Sequence, residues 1–248
     1  MAGVDDEEEL EQIKLSAERV IPMARGVDLS SYISRRSSKR NLEKQEAWVP
    51  RTRLGKMVSE GKITSLEEIF QQGLKIREPE IVKTLLPDVT SEVVNVSIVQ
   101  KQTDAGALTR FRAIVAVGND GGWFGVGEGK AAQRIAAIDK ATSVALLTVI
   151  PVKRGCGSPE CTDKTNHSVP FRTVGKVGSV TVELLPAPKG VGLVAGPALK
   201  KLLALAGLKD VYVRTFGSTR TPSSLANAVY DAFYKSYGLN IRSKNGYT

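Results

Sequence analysis

From Val94 onward the chain alternates regularly enough to require a sheet. Val94, Val96 and Ile98 are interleaved with Asn95, Ser97 and Val99, the period of two that a half-covered strand needs. TDAGAL at 103–108 supplies Gly and Asp for a hairpin loop. Residues 109–117 then set Phe111, Ala113, Val115 and Val117 on one face, with Arg110 and Arg112 on the other at the start. GNDGG at 118–122 turns the chain back, and a third strand is expected over 123–127. Beyond it Ile135, Ile138, Ala141, Ala145 and Val149 approximate one face of a helix running from about Lys130 to Leu147. Two short helices split by Gly73 are expected within 65–86. The order helix–strand–strand–strand–helix predicts an antiparallel sheet with helices on one face.

A second mixed pattern follows. Val180, Val182 and Leu184 alternate with Thr181 and Glu183 in a strand that stops at PAPKG. A helix over 197–206 offers Leu199, Leu202, Leu203 and Ala206 to a core, and Gly207 ends it. DVYVRTFG reads as another strand. A last helix, about 222–237, turns Leu225, Ala228, Val229, Ala232 and Phe233 inward, with Pro222 suited to its first position. The class is α+β. The expected division is an acidic tail and basic extension at 1–60, one domain at 61–152, a turn-rich connector at 153–170 and a second domain at 171–248. The connector's place between the domains predicts that it sets how they sit.

Charge narrows the function. The 248 residues carry 35 Lys+Arg against 26 Asp+Glu, a net charge of +9. Asp5, Asp6, Glu7, Glu8, Glu9 and Glu11 crowd the first eleven positions, so the remainder is more basic still. Such a surface favours a polyanion, because each Lys or Arg set against a phosphate releases counterions. Within 35–56 lie Arg35, Arg36, Lys39, Arg40, Lys44, Arg51, Arg53 and Lys56 against only Glu43 and Glu46. With few large apolar residues, this stretch reads as an arm laid along something anionic. No apolar run approaches the roughly 18 residues that cross a bilayer, and the acidic start lacks the apolar core of a secretion signal.

The glycine motifs exclude nucleotide chemistry. GWFGVGEGKA at 122–131 has Phe124 where a Walker loop needs glycine and Ala131 where it needs Ser or Thr. Gly125, Gly127 and Gly129 run G-x-G-x-G, which is not the dinucleotide fingerprint. They suit close approach of another backbone, with Lys130 beside a helix N-terminus where an anion is favoured. PAPKGVGL at 186–193 presents Lys189 between glycines, and RTFGSTRT at 214–221 presents Arg214 and Arg220, whose guanidinium groups suit phosphate. Trp48 and Trp123 are candidates for stacking on bases.

RGCGSPECTDKTNH at 154–167 holds both cysteines and the single histidine. Cys156, Cys161 and His167 give C-x4-C-x5-H, three of the four ligands that zinc takes, the fourth falling to Asp163, Asp104 or a partner. A catalytic Cys–His pair would need a group to orient the imidazole, and none stands nearby in sequence. A zinc deaminase is excluded, because Ser168 and Val169 follow His167 in place of H-x-E. A plain connector turn with two thiols remains the alternative.

VQKQTDAGALTRFRAIVAVGNDGGWFGVGEGKAAQRIAAIDKA (99–141), HSVPFRTVGKVGSVTVELLPAPKGVGLVAGPALKKLLALAGLKDVY (167–212) and TFGSTRT (215–221) closely resemble the S5 family of small-subunit ribosomal proteins. RGCGSPEC and the long N-terminal extension are similar to its archaeal branch. The likeness covers about residues 48–237. It implies a double-stranded-RNA-binding-like first domain (α-β-β-β-α) and a second α+β domain with a left-handed β-α-β crossover. It also implies a structural constituent of the small ribosomal subunit in the cytoplasm, not an enzyme. Such a protein binds ribosomal RNA, contacts the ribosomal proteins S4 and S8 near the channel where messenger RNA enters, and supports decoding fidelity. The hairpin loop at 101–110, KQTDAGALTR, departs from the Gly-Gly-Arg-rich loop tied to spectinomycin sensitivity in bacterial members. Archaeal members often carry further connector cysteines, where this chain has Thr162 and Asp163.

The expected RNA contacts are Arg35, Arg36, Lys39, Arg40, Trp48, Arg51, Arg53, Arg110, Arg112, Lys130, Lys189, Arg214 and Arg220. No cofactor is expected apart from a zinc ion on Cys156, Cys161 and His167. A free regulator binding any A-form duplex is the competing reading, but it leaves PAPKGVGLVAG and TFGSTRT without a use. An enzyme built on the cysteines and His167 is the third.

Overall fold

A computed structural model describes residues 48–161 and 165–244. The acidic segment, residues 12–24, whose pattern suggests a short amphipathic helix ending near Pro22, the arm cations Arg35, Arg36, Lys39, Arg40 and Lys44, and Asp163 lie outside the described residues. The chain divides into two compact units, Met1–Val49 and Pro50–Thr248, and the architecture is that of the second.

The second unit begins with a helix where the sequence suggests an unpacked arm. α1 (Arg53–Ser59) buries Leu54 and Gly55, and the Thr52 hydroxyl accepts the Gly55 N–H at 3.0 Å to cap it. Glu78 clamps the approach, its Oε1 accepting the Arg51 and Thr52 amides at 2.9 and 2.6 Å. α2 (Leu66–Gln71) and α3 (Pro79–Leu85) follow, parted near Gly73 as expected.

The first sheet is a four-stranded antiparallel meander: β1 (Thr90–Thr103), β2 (Gly106–Asn119), β3 (Trp123–Ala131) and the short β4 (Ile150–Pro151). β1 and β2 are each 14 residues long, and Thr103 pairs with Gly106. The expected loop at 103–108 is therefore largely strand. β3 runs on to Ala131, so α4 (Arg134–Leu147) starts later than its pattern suggests and Lys130 belongs to a strand. The second sheet has the order β5-β6-β8-β7, from β5 (Thr173–Val177), β6 (Val180–Pro186), β7 (Leu193–Val194) and β8 (Val211–Phe216). β7 and β8 are parallel neighbours joined through α5 (Pro197–Leu205), and the other pairs are antiparallel. α6 (Pro222–Lys244) closes the unit.

Both faces of β2 are covered, where the sequence predicts helices on one face only. Ala113, Val115 and Val117 pair with Gly129, Gly127 and Gly125 on the face that meets α4. Ile114 and Ala116, with Phe124 and Val126, join Val182, Leu184, Leu202 and Phe233 in one apolar cluster that spans both sheets. The Phe124 and Phe233 rings meet edge-on at 5.2 Å. The inward sets expected for α5 and α6 are buried as read, Leu199, Leu202 and Leu203 on one and Leu225, Ala228, Val229, Ala232 and Phe233 on the other.

α4 keeps part of its expected face, with Ala141, Ala145 and, just beyond the helix, Val149 buried, but departs from it at its start. Ile135 is 74% exposed, and the buried stripe is Ala137, Ala141, Ala145 and Leu146. The cause lies in β3. A Cβ on Gly129 would press on Ala137 and Ala141, one on Gly127 would collide with the Ala141 carbonyl and the Ala145 amide, and one on Gly125 would collide with the Ala145 carbonyl. Four helical residues advance about 6 Å and two strand residues about 6.6 Å. Alanines four apart thus keep register with glycines two apart, and backbone meets backbone along the line. The close approach expected of these glycines is made to the protein's own helix.

Gly127→Ala is expected to lower stability by about 1–3 kcal/mol, because the methyl has only backbone to displace. Gly238→Ala, in α6 with open space around it, should instead be neutral or stabilise by up to about 1 kcal/mol. Urea denaturation of the two variants beside the parent checks both.

Candidate nucleic-acid interface and the cysteine–histidine cluster

The described part of the basic stretch borders a groove of about 580 Å3. Arg51, Arg53, Lys75 and Arg77 line it around Leu54, Met57 and Leu74. All four cations are exposed. Arg51 and Arg53 were legible as arm residues. Lys75 and Arg77 carry no such signal, because they stand outside any charge run and come into place through the clamp of Glu78 on the start of α1. Trp48 is half-buried, and the Trp123 ring lies 5.6 Å from that of Phe70, packed within the protein.

The outer end of the β1–β2 hairpin is exposed on both strands, with Lys101 and Arg110 among polar and apolar neighbours such as Ile98 and Leu108. Lys130 is exposed on β3, where its residue pairs with Arg112 of β2. Arg112 itself faces protein. Its Nη2 donates to Glu128 Oε2 at 2.6 Å and to Ser223 Oγ at 2.7 Å, and Ser223 donates onward to Glu128 at 3.0 Å. In the second half, Lys189, Arg214 and Arg220 are exposed in the loops after β6 and at and after β8. The structure thus separates the expected cations into a groove, a hairpin and strand face, and the loops of the second sheet.

The connector cations and thiols behave differently. Arg154 is drawn onto the turn after β2, donating to the Asp120 and Gly121 carbonyls at 2.7 and 2.8 Å. Gly155 and Ser168 exchange backbone hydrogen bonds at 2.8 and 2.9 Å, closing the connector into a loop. Within that loop Cys156 Sγ lies 3.3 Å and Cys161 Sγ 3.5 Å from His167 Nε2. The other imidazole nitrogen, Nδ1, is 2.8 Å from Asp210 Oδ2, and both side chains are buried. The orienting group that the sequence does not reveal is therefore Asp210, 43 residues further on. Its second oxygen accepts the Gly190 and Gly192 amides at 3.1 and 2.8 Å. Both glycines have positive φ, 93° and 75°, which aims two alternate amides at one carboxylate. The PAPKG loop thus turns its amides to Asp210, while Lys189 stays exposed at its tip. Asp104 is not part of the cluster, which among the described residues comprises Cys156, Cys161 and His167.

A family model described as Ribosomal protein S5, N-terminal domain, matches residues 89–153, and one described as Ribosomal protein S5, C-terminal domain, matches residues 175–241. The chain belongs to the ribosomal protein S5 family. It is 54% identical over 190 residues to the small ribosomal subunit protein uS5 of Thermofilum pendens, covering 77% of this chain and 94% of that protein. It is 56% identical over 195 residues to that of Staphylothermus marinus, covering 79% and 91%, and 57% identical over 192 residues to that of Aeropyrum pernix, covering 77% and 88%. These relatives place it in the archaeal branch of the S5 family.

The Arg112–Glu128–Ser223 node carries a pH dependence. Burial pushes the Glu128 carboxyl up, but hydrogen bonds from Arg112 and Ser223 and the charges of Arg112 and Lys130 outweigh it, leaving it below its ordinary value of 4.5. The unfolded chain therefore binds the proton more readily. The node's stabilisation is complete above the ordinary value and fades as pH falls through the lowered one. Glu128→Gln is expected to cost roughly 1–2 kcal/mol at neutral pH. The gap between parent and variant should narrow on acidification below pH 4.5, as read from melting curves over a pH series.

Proposed function

We propose that this chain is a structural constituent of the small ribosomal subunit in the cytoplasm, with a part in translation and no enzymatic activity. What carries the reading is the presence of both S5 domain models on one chain, together with relatives named as small-subunit proteins. In this reading residues 61–152 form a double-stranded-RNA-binding-like domain, 153–170 a connector and 171–248 an α+β domain with a left-handed β-α-β crossover. Residues 1–60 extend from them.

The partner is small-subunit ribosomal RNA. The net charge of +9 supports it, as does the exposure of the cations around the groove, the hairpin and the second sheet's loops. Arg51, Arg53, Arg110, Lys130, Lys189, Arg214 and Arg220 are proposed as phosphate contacts, and Arg35, Arg36, Lys39 and Arg40 as contacts of the extension. Trp48 is proposed to pack on a base or sugar. Arg112 acts through its hold on Glu128 and Ser223, which fixes the strand face that presents Lys130. Lys75 and Arg77 join the groove contacts. The further partners are the ribosomal proteins S4 and S8, near the channel where messenger RNA enters, and through that position the protein supports decoding fidelity. RNA contact of this kind uses no cofactor. The zinc expected on the connector is a separate matter of local structure.

Two measurements test the reading. The protein should travel with the small subunit through a sucrose gradient; migration only as a free protein would refute it. Binding to small-subunit RNA should weaken with salt, and alanine at Arg51, Arg53, Lys75 and Arg77 together should reduce the log–log slope by about one for each phosphate contact removed. A groove variant with an unchanged slope would remove that surface from the interface.

A further inference from the structure

The geometry points to a zinc site on Cys156, Cys161 and His167, with Asp210 as the residue that positions the histidine. This goes beyond RNA binding and does not depend on it. The three ligand atoms lie within 4.8 Å of one another. Zinc–sulfur and zinc–nitrogen bonds of about 2.3 and 2.0 Å at a tetrahedral angle give a sulfur–nitrogen edge of roughly 3.5 Å. The observed edges are 3.3 and 3.5 Å. The ligand atoms therefore already stand close to the corners that the ion requires.

The surroundings fit a metal better than a catalytic pair. The Asp210 carboxylate accepts a hydrogen bond from Nδ1–H, which keeps the imidazole proton on Nδ1 and leaves the Nε2 lone pair directed at the sulfurs. A carboxylate behind a ligating histidine is the usual support of such a centre. A general base serves one nucleophile, whereas here two thiols converge on one nitrogen. The Lys189 amide donates to Cys161 Sγ at 3.2 Å, a contact that holds this sulfur in place. The imidazole and the carboxylate are buried at 6% and 8% side-chain exposure, so the polar groups that hold the site are shielded from water. Three protein ligands leave the fourth corner to a water molecule. On binding, each thiol loses its proton to solvent and no electron is transferred. The ion then joins the connector, through Cys161 and His167, to the PAPKG loop and the start of β8.

The test uses the full chain, purified under reducing conditions without chelator. Elemental analysis should find about one zinc per chain, falling below about a tenth in Cys156→Ser and Cys161→Ser. Adding Co2+ to metal-stripped protein should produce a thiolate-to-cobalt charge-transfer band that weakens in each cysteine variant. Asp210→Asn should keep the band but weaken zinc affinity by about ten- to a hundredfold. Should a cysteine variant fail to fold, the parent alone decides: Zn2+ should shield both thiols from a disulfide reagent. A folded, reduced parent that holds no zinc, gives no cobalt band and shows equal thiol reactivity with and without Zn2+ would overturn the proposal. So would an Asp210→Asn protein with the parent's zinc affinity, for the positioning role.

Discussion

Backbone meets backbone where α4 lies on β3, and the first sheet is arranged by that approach. Gly125, Gly127 and Gly129 remove the side chains that would hold the helix off, and Ala145, Ala141 and Ala137 fill the space with the least bulk. Once the helix is that close, the face of β2 carrying Ala113, Val115 and Val117 is sealed. The opposite face is then free to take the second sheet and its helices. The same device recurs at Gly175 of β5, where a Cβ would collide with the Ala228 carbonyl and press on Ala232 of α6. At Gly118 of β2 it would collide with the Leu205 carbonyl of α5. Helix-on-sheet contact without side chains between gives up some apolar area. It gains a fixed register, because only one sliding position matches the glycines to the alanines.

Two polar nodes, the partly exposed Arg112–Glu128–Ser223 set and the buried His167–Asp210 pair, tie segments far apart in sequence. Ser223, in the first turn of α6, bonds to Arg112 and Glu128, 111 and 95 residues away. Asp210 bonds to His167 and to the amides of Gly190 and Gly192. A buried polar group without a partner costs more than a made hydrogen bond returns. Each node is therefore selective: it is satisfied only when the second half docks against the first, or the connector against β8, in the observed arrangement.

The sequence reveals elements wherever one period dominates. The alternation in β6 and the apolar faces of α5 and α6 are legible because each buries large side chains on a single stripe. The close contact of α4 with β3 is not, because it is made by residues almost without side chains, and Ile135, expected inward, lies exposed at the start of the helix. β5 and β7 escape for a related reason: TVGKV carries a glycine where α6 crosses, and LV is two residues long. The groove cations Lys75 and Arg77 have no local signature and are assembled by Glu78 from a distance. Cys156, Cys161 and His167 are conspicuous by rarity, yet the feature that decides their geometry, Asp210, lies just before β8 and looks ordinary where it stands.

The connector's part in the molecule follows from the shared core. If the two sheets had separate cores, residues 153–170 would act as a hinge and their conformation would set how the halves face a partner. Phe124 against Phe233, and the single cluster running from Ile114 to Leu202, set that orientation instead. What the connector controls is more local. It is pinned at one end by Arg154 on the β2–β3 turn and at the other by His167 on Asp210, and Cys161 takes the amide of Lys189. Tightening this loop acts on the position of the Lys189 tip rather than on the angle between sheets. A metal held there would order one basic loop without stiffening the whole, because the apolar core already provides the stiffness.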